Sequence, residues 1–246
     1  MSSVLLIAGC DSSGGAGLTR DVRTLTQLRA RALCAVTAVT AQSDHALTAL
    51  QPMPAELVRA QIAAAFATRE VDAIKIGMLA TAANVEAVAE ALPLRGAPPL
   101  VLDPVLLASS GGALLEAGGM AALRAALIPR ATLITPNIPE AAALLGVEMA
   151  RSEEQLLRQG EALLALGAQA VLLKGGHGSG AQCTDLLFSG GQGVLRFSAP
   201  RSATVRRGSG CALASAIAAG LAARLDLQAA CAGAKHYMAE FFQHGS

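Results

Sequence analysis

Six short, unbroken apolar runs recur along the chain: VLLIA (4–8), LCAVTAVT (33–40), AIKIG (73–77), PLVLD (99–103), TLIT (132–135) and AVLLK (170–174). Each is followed by Gly, Pro or polar residues and then by a stretch with helical spacing of its apolar positions. Runs that are continuous rather than alternating belong to strands covered on both faces, and helical connections suit parallel neighbours. The pattern predicts a three-layer α/β fold: a mostly parallel central sheet with helices on both faces. Helices are expected over 15–28, 54–67, 81–91, 118–127, 138–145, 152–165, 209–223 and 226–242. The segment CTDLLFSGGQGVLRF (183–197) breaks the rhythm and reads as an edge hairpin about a Gly-rich turn. No linker or internal repeat interrupts residues 1–246, so one domain is expected.

Charge and composition narrow the partners. The 19 basic and 18 acidic residues leave a formal net charge of +1, which gives no general field for polyanions. Aromatics are 2% of the chain, with one Tyr and no Trp, so a base-stacking nucleic-acid surface is not expected. Five widely spaced cysteines without a C-x-x-C pair read as reduced thiols rather than a disulfide frame or a zinc site. The start MSSVLLIAGCDSS lacks the basic residues and long apolar run of a signal peptide, and charges break every Ala/Leu-rich stretch. The expectation is a soluble cytoplasmic protein with a small-molecule partner, binding neither nucleic acid nor membrane.

In open parallel sheets ligands bind beyond the carboxyl ends of the strands. Those ends carry Cys10, Asp11, Gln42, Met78, Asp103, Asn137 and Lys174, and the helix start Gly208–Cys211 belongs with them. The first turn, GCDSSGGAGLTRD, has glycines that permit close backbone approach but lacks both the dinucleotide fingerprint and the Walker lysine. It reads as a binding loop or as plain turn chemistry, and Asp21 as a helix-start acid. RRGSGCALASAIAAG (206–220) is more informative, because Gly208, Ser209, Gly210 and Cys211 would present successive N–H groups as an anion hole. Its plain alternative is a Ser N-cap on a core helix. Arg206 and Arg207 just before it favour phosphate, with solvated side chains as the alternative.

Cys211 at a helix start reads as a thiol of depressed pKa able to take a proton, or as an inert buried thiol. Asn137 and Glu140 open a helix, where Glu140 either holds a hydrated Mg²⁺ beside a phosphate or complements the helix dipole. Lys174 reads as a phosphate contact or a solvated strand-end lysine. Met78 is a core or ligand-wall residue, Gln42 a hydrogen-bonding handle, and His177, without a partner at ligand spacing, a loop residue.

Taken in order, IAGCDSSGGAGLTRD, VTAVTAQ, KIGML, VLDPVLLASSG, LITPNIPEA, VLLKGGH and GSGCALASAIAA resemble the hydroxymethylpyrimidine/phosphomethylpyrimidine kinases of thiamine biosynthesis, in the ribokinase-like superfamily. The resemblance spans residues 4–223. It implies a ribokinase-like fold, a cytoplasmic homodimer, and two successive phosphorylations by ATP and Mg²⁺: of 4-amino-5-hydroxymethyl-2-methylpyrimidine, then of its monophosphate. By position it implies that Gln42, Asp21, Met78, Gly9 and Ala16 surround the pyrimidine. Lys174, Asn137, Gly208 and Gly210 would hold ATP, and Glu140 would hold Mg²⁺ through water. Gly208, Ser209, Gly210, Lys174 and Cys211 would carry the chemistry, with Cys211 where the wider superfamily has an Asp base. The family commonly has Ser and Pro where this chain has Cys10 and Ser12, Asn for Ser43, Thr for Ser209, and Thr-His for Arg206-Arg207. A pyridoxal-type kinase and a non-catalytic pyrimidine-binding homologue are the alternatives.

Overall fold

The computed structural model describes residues 1–107, 112–175, 181–191, 193–202, 204 and 206–244. His177 and part of the VLDPVLLASSG motif lie outside the described residues. The strands are β1 (Ser3–Asp11), β2 (Arg31–Gln42), β3 (Leu47–Pro52), β4 (Ala73–Ile76), β5 (Leu100–Leu102), β6 (Leu133–Ile134), β7 (Ala170–Leu173), β8 (Gln182–Ser189) and β9 (Leu195–Pro200). They form one sheet in the order β3-β2-β1-β4-β5-β6-β7-β8-β9. The pairings from β2 through β7 are parallel, and β3, β8 and β9 join antiparallel at the two edges.

The helices are α1 (Gly17–Gln27), α2 (Ala55–Thr68), α3 (Ala82–Ala91), α4 (Ala117–Ala122), α5 (Ile138–Leu145), α6 (Glu153–Leu164), α7 (Ser209–Ala222) and α8 (Leu227–His244). Alternate strand residues face opposite sides, and the core divides accordingly. Leu5, Ile7, Ile74, Ile76, Leu102 and Val171 pack with the large side chains of α2, α3, α5 and α6. Val4, Leu6, Ala8, Ala73, Val101 and Leu172 pack against α1, α7 and α8. On this second side α7 contributes mainly Ala212, Ala214, Ala216, Ala218 and Ala219, small residues that let it lie close to the sheet. Each fully buried Leu or Ile contributes about 1.5–3 kcal/mol.

Three elements depart from the sequence reading. The helix expected over 118–127 is α4 followed by a π turn, Leu123–Leu127, and a 3₁₀ turn, Ile128–Arg130. Pro129 lacks an N–H and cannot continue an α-helical ladder, which accounts for the end of this segment. Strand β6 is shorter than TLIT, and β3 was not expected. Its LTALQP is half exposed at a sheet edge and lacks an apolar run. The hairpin of β8 and β9 sits where it was expected. β1 leads to β2 on one side and stands beside β4 on the other, so the order reverses there and opens a crevice above Gly9 and Met78.

Candidate active site

The first βα turn is organised by Asp11. Its carboxylate accepts hydrogen bonds from the N–H groups of Ser13 and Ala16 and from the Ser13 hydroxyl. Two glycines allow close backbone approach here, Gly17 where the end of β1 meets the start of α1 and Gly208 where the turn meets the start of α7. Gly17 has φ +58°, and a Cβ there would stand 2.3 Å from the Gly9 carbonyl oxygen. Gly208 has φ +73°, and its Cβ would stand 2.3 Å from the Gly15 oxygen. A side chain on Gly17 would part the start of α1 from the end of β1, and one on Gly208 would push the first turn away from the start of α7.

Between them lies a hollow of about 50 Å³ walled by Gly9, Ala16, Gln42, Lys75, Met78 and Cys211 among others. It shares Ala16, Gln42, Val105, Leu114 and Cys211 with a larger cavity of about 740 Å³. Gln42 is held through its backbone by Ser12, leaving its side-chain amide without a protein partner among the described residues. Four of the five residues expected around the pyrimidine therefore wall one hollow. Asp21 does not. It is fully buried on α1 behind Lys75, whose ammonium it binds at 2.8 Å, and it accepts a 2.8 Å bond from Ser215. An ionised carboxylate enclosed there needs a cation more than a ligand.

Lys75 is the residue the motif reading passed over. The sequence signal is the lysine inside AIKIG: a strand covered on both faces leaves a long side chain no route to water, so a charge there requires a partner. Burial alone would lower the Lys75 pKa, but Asp21, followed by Cys211 and Asp103, holds it above the usual lysine value. Burial raises the Asp21 pKa, and Lys75 opposes the rise.

The residues expected to meet phosphate gather around α7. Its N-cap, Gly208, offers no side-chain bond, so among the described residues the first-turn N–H groups of Ser209, Gly210 and Cys211 have no intrahelical or side-chain partner. Ser209 is thus inside the helix rather than its cap. A Cβ on Gly210 would be 3.2 Å from Lys174 Nζ and 3.5 Å from Asp103 Oδ2, which places both charges beside the amides. Lys174 Nζ donates to Asp103 Oδ1 at 2.8 Å and lies 3.8 Å from Glu140 Oε2. Asn137 and Glu140 cap α5 reciprocally, each backbone N–H bonding the other's side chain at 2.8 Å. Asn137, Glu140, Lys174 and Gly208–Cys211 all line the larger cavity.

Burial pushes Glu140 up to about 7, with Asp103 adding to the rise and Lys174 and the Asn137 N–H opposing it. Burial would also raise Asp103, but Lys174 and Lys75 outweigh it and hold that carboxylate below its ordinary value. Burial works against the Lys174 cation, which Asp103 and Glu140 nevertheless keep charged.

Of the two readings of Cys211, a thiol of depressed pKa and an inert buried thiol, the depressed pKa is overturned. Burial pushes this thiol up to about 11, and Asp21 and Asp103 add to the rise, against the opposing Lys75 charge and the Gly17 N–H. Desolvation outweighs the favourable field of the helix start.

The two arginines before the anion hole separate. Arg207 is committed to Asp11 at 2.9 Å, Asp44 at 3.0 Å and the Ser13 hydroxyl, and so ties the first turn to the β2–β3 loop. Arg206 has no carboxylate partner among the described residues, lies over the Phe241 ring at 5.9 Å, and lines the larger cavity.

The family model described as phosphomethylpyrimidine kinase matches residues 11–246. A Salmonella typhimurium protein named hydroxymethylpyrimidine/phosphomethylpyrimidine kinase is 46% identical over 218 residues, covering 88% of this chain and 82% of that one. The crystal structure of phosphomethylpyrimidine kinase from Clostridium difficile 630 superposes with TM-score 0.85 at 33% identity, covering 98% and 99% of the two chains. The pyridoxal kinase from Staphylococcus aureus, solved with AMP-PCP and pyridoxal, gives TM-score 0.90 at 29% identity, covering 100% and 89%.

Proposed function

This chain belongs to the phosphomethylpyrimidine kinase family, and we propose that it transfers phosphate from ATP first to 4-amino-5-hydroxymethyl-2-methylpyrimidine and then to the resulting monophosphate, in thiamine biosynthesis. The observation that carries the reading is the junction of two cavities at Cys211: a small hollow with the Gln42 amide, and a large one with Lys174 and the first-turn N–H groups of α7. The first suits a flat polar heterocycle. The second suits a polyphosphate, because helix-start N–H groups and a fixed cation both favour anions.

Phosphoryl transfer depends on positioning and charge neutralisation more than on covalent chemistry. In this reading Gln42 and Met78 fix the ring so that its hydroxymethyl group stands at Cys211. The amides of 209–211 and Lys174 take up charge on the transferring group. Cys211 rests as a thiol, so its share as proton acceptor grows as pH rises toward its pKa.

A divalent cation such as Mg²⁺, when bound, would supply charge neutralisation for the phosphates. Among the described residues no three His, Cys, Asp or Glu side chains cluster as a full ligand set. Among the described residues one Glu140 carboxylate oxygen has no hydrogen-bond partner, which fits an ion held mainly by water and phosphate. Glu140 would hold that hydrated ion. Arg206, without a carboxylate partner among the described residues and at the cavity wall, would grip the phosphate of the second substrate. A cytoplasmic homodimer belongs to the same proposal; among the described residues no helix is long and apolar enough to cross a membrane.

A pyridoxal-type activity is the competing reading, favoured by the TM-score of 0.90. Purified protein with Mg·ATP should convert the pyrimidine alcohol to mono- and diphosphate, followed by mass spectrometry. Turnover of pyridoxal with none of the pyrimidine would reverse the assignment.

A further inference from the structure

Lys75, Asp21 and Ser215 join three elements beneath the site. Lys75 lies in β4, Asp21 in α1, and Ser215 in α7 one turn after Cys211, hence on the same helix face. All three are buried, Lys75 and Asp21 with side chains 0% exposed. The ammonium has three N–H donors, yet Asp21 is its one acceptor among the described residues. A Cβ at Gly77 would stand 2.9 Å from Lys75 Nζ, so the charge sits close under the chain where β4 leads into Met78, which walls the hollow.

As a device for stability this arrangement is poor. Buried ion pairs are commonly replaced by apolar side chains without loss, and a cation with spare donors is poorly compensated. Its location is what distinguishes it: the hollow that takes Lys75 into its wall is also bounded by Cys211.

We infer that Lys75, Asp21 and Ser215 form a positioning clamp, which fixes the depth of the first turn of α7 and sets the charge beneath Cys211 at the reacting hydroxyl. The inference rests on the kinase reading above. Lys75 is a positioning residue here, because it is sealed from solvent and acts through Cys211. Four charged groups act on that thiol from the elements around it: Lys75 of β4, Asp21 of α1, Asp103 after β5 and Lys174 after β7. Lys75 favours the thiolate and Asp21 disfavours it, with Lys75 the larger influence.

The two members of the pair should therefore move Cys211 in opposite directions, a pattern that mere loosening of the fold does not give. Asp21→Asn leaves Lys75 and an acceptor for it in place. Lys75→Met with Asp21→Asn removes both charges together, so that neither is stranded. The readout is the rate of iodoacetamide labelling of Cys211 at pH 8.5, resolved from the other four cysteines by peptide mass spectrometry. Relative to wild type, Asp21→Asn should label at least about threefold faster, a half-unit pKa shift, and the double variant slower. At the same pH kcat for the pyrimidine alcohol should follow that order, with KM for ATP within about twofold of wild type.

Equal labelling rates in the three proteins, or a kcat order unrelated to labelling, would overturn the clamp. An unfolded double variant would overturn it too, by marking the pair as a stabilising one. Labelling needs no substrate, so failure to phosphorylate the alcohol would refute the kinase reading while the clamp stays measurable.

Discussion

Two lysine–aspartate pairs, Lys75–Asp21 and Lys174–Asp103, each close at 2.8 Å on the same sheet, yet they stand in opposite relation to water. The side chains of the first pair are 0% exposed; those of the second are 13% and 3% exposed and border the larger cavity. A sealed pair cannot exchange partners, so it acts as a fixed field and a brace between α1, β4 and α7. An open pair can release part of its hydrogen bonding to an arriving phosphate, because Asp103 keeps Thr135 at 3.0 Å as a second donor. On the proposed reading, identical chemistry gives a positioning group in one place and a ligand contact in the other, and the difference is set by what covers each lysine.

Removing one lysine at a time breaks the comparison most sharply. Lys174→Met should lower kcat about 10²–10³-fold, as for loss of a preorganised charge at the transferring group. Urea unfolding should show it less stable by only about 1–2 kcal/mol. Lys75→Met should show a larger stability loss of about 3–5 kcal/mol, because Asp21 is left buried without a cation. A next, smaller effect concerns the open side alone. Glu140 is raised to about 7, so it loses its charge as pH falls through that value. The Mg²⁺ concentration for half-maximal rate should rise as pH drops from 8 to 6, approaching tenfold per unit below the pKa, and Glu140→Gln should flatten this dependence. The smallest effect separates the arginines. Arg206→Ala should raise KM for the monophosphate about three- to tenfold and KM for the alcohol less than about twofold. Arg207→Ala should raise both alike, since its contacts are to Asp11, Ser13 and Asp44.

Much of this was legible in the chain. Continuous apolar runs marked the parallel strands, the helix starts marked Asn137 and Gly208, and the strand-end rule brought Gln42, Met78, Asp103 and Lys174 to one rim. What escaped had physical reasons. Strand β3 is an edge strand whose half-exposed residues carry no burial pattern. The Cys211 thiol was judged by its helix start, whereas the burial that governs it depends on β4, α1 and the first turn, which come together only in the fold. Asp21 was placed at the ligand by the family resemblance alone, whereas its side chain points to a lysine 54 positions away. Arg207 could not be told from Arg206 until Asp11 and Asp44 were seen to claim it.

The difference between the pairs is tested most directly by calorimetric titration of AMP-PCP with excess Mg²⁺ into Lys174→Met and into Asp21→Asn, both folded by circular dichroism. Lys174→Met should bind at least about tenfold more weakly than wild type, a loss of about 1.4 kcal/mol, while Asp21→Asn binds within about twofold. Wild-type affinity in Lys174→Met, or an equal loss in both variants, would contradict the assignment of the open pair to ATP and the sealed pair to positioning.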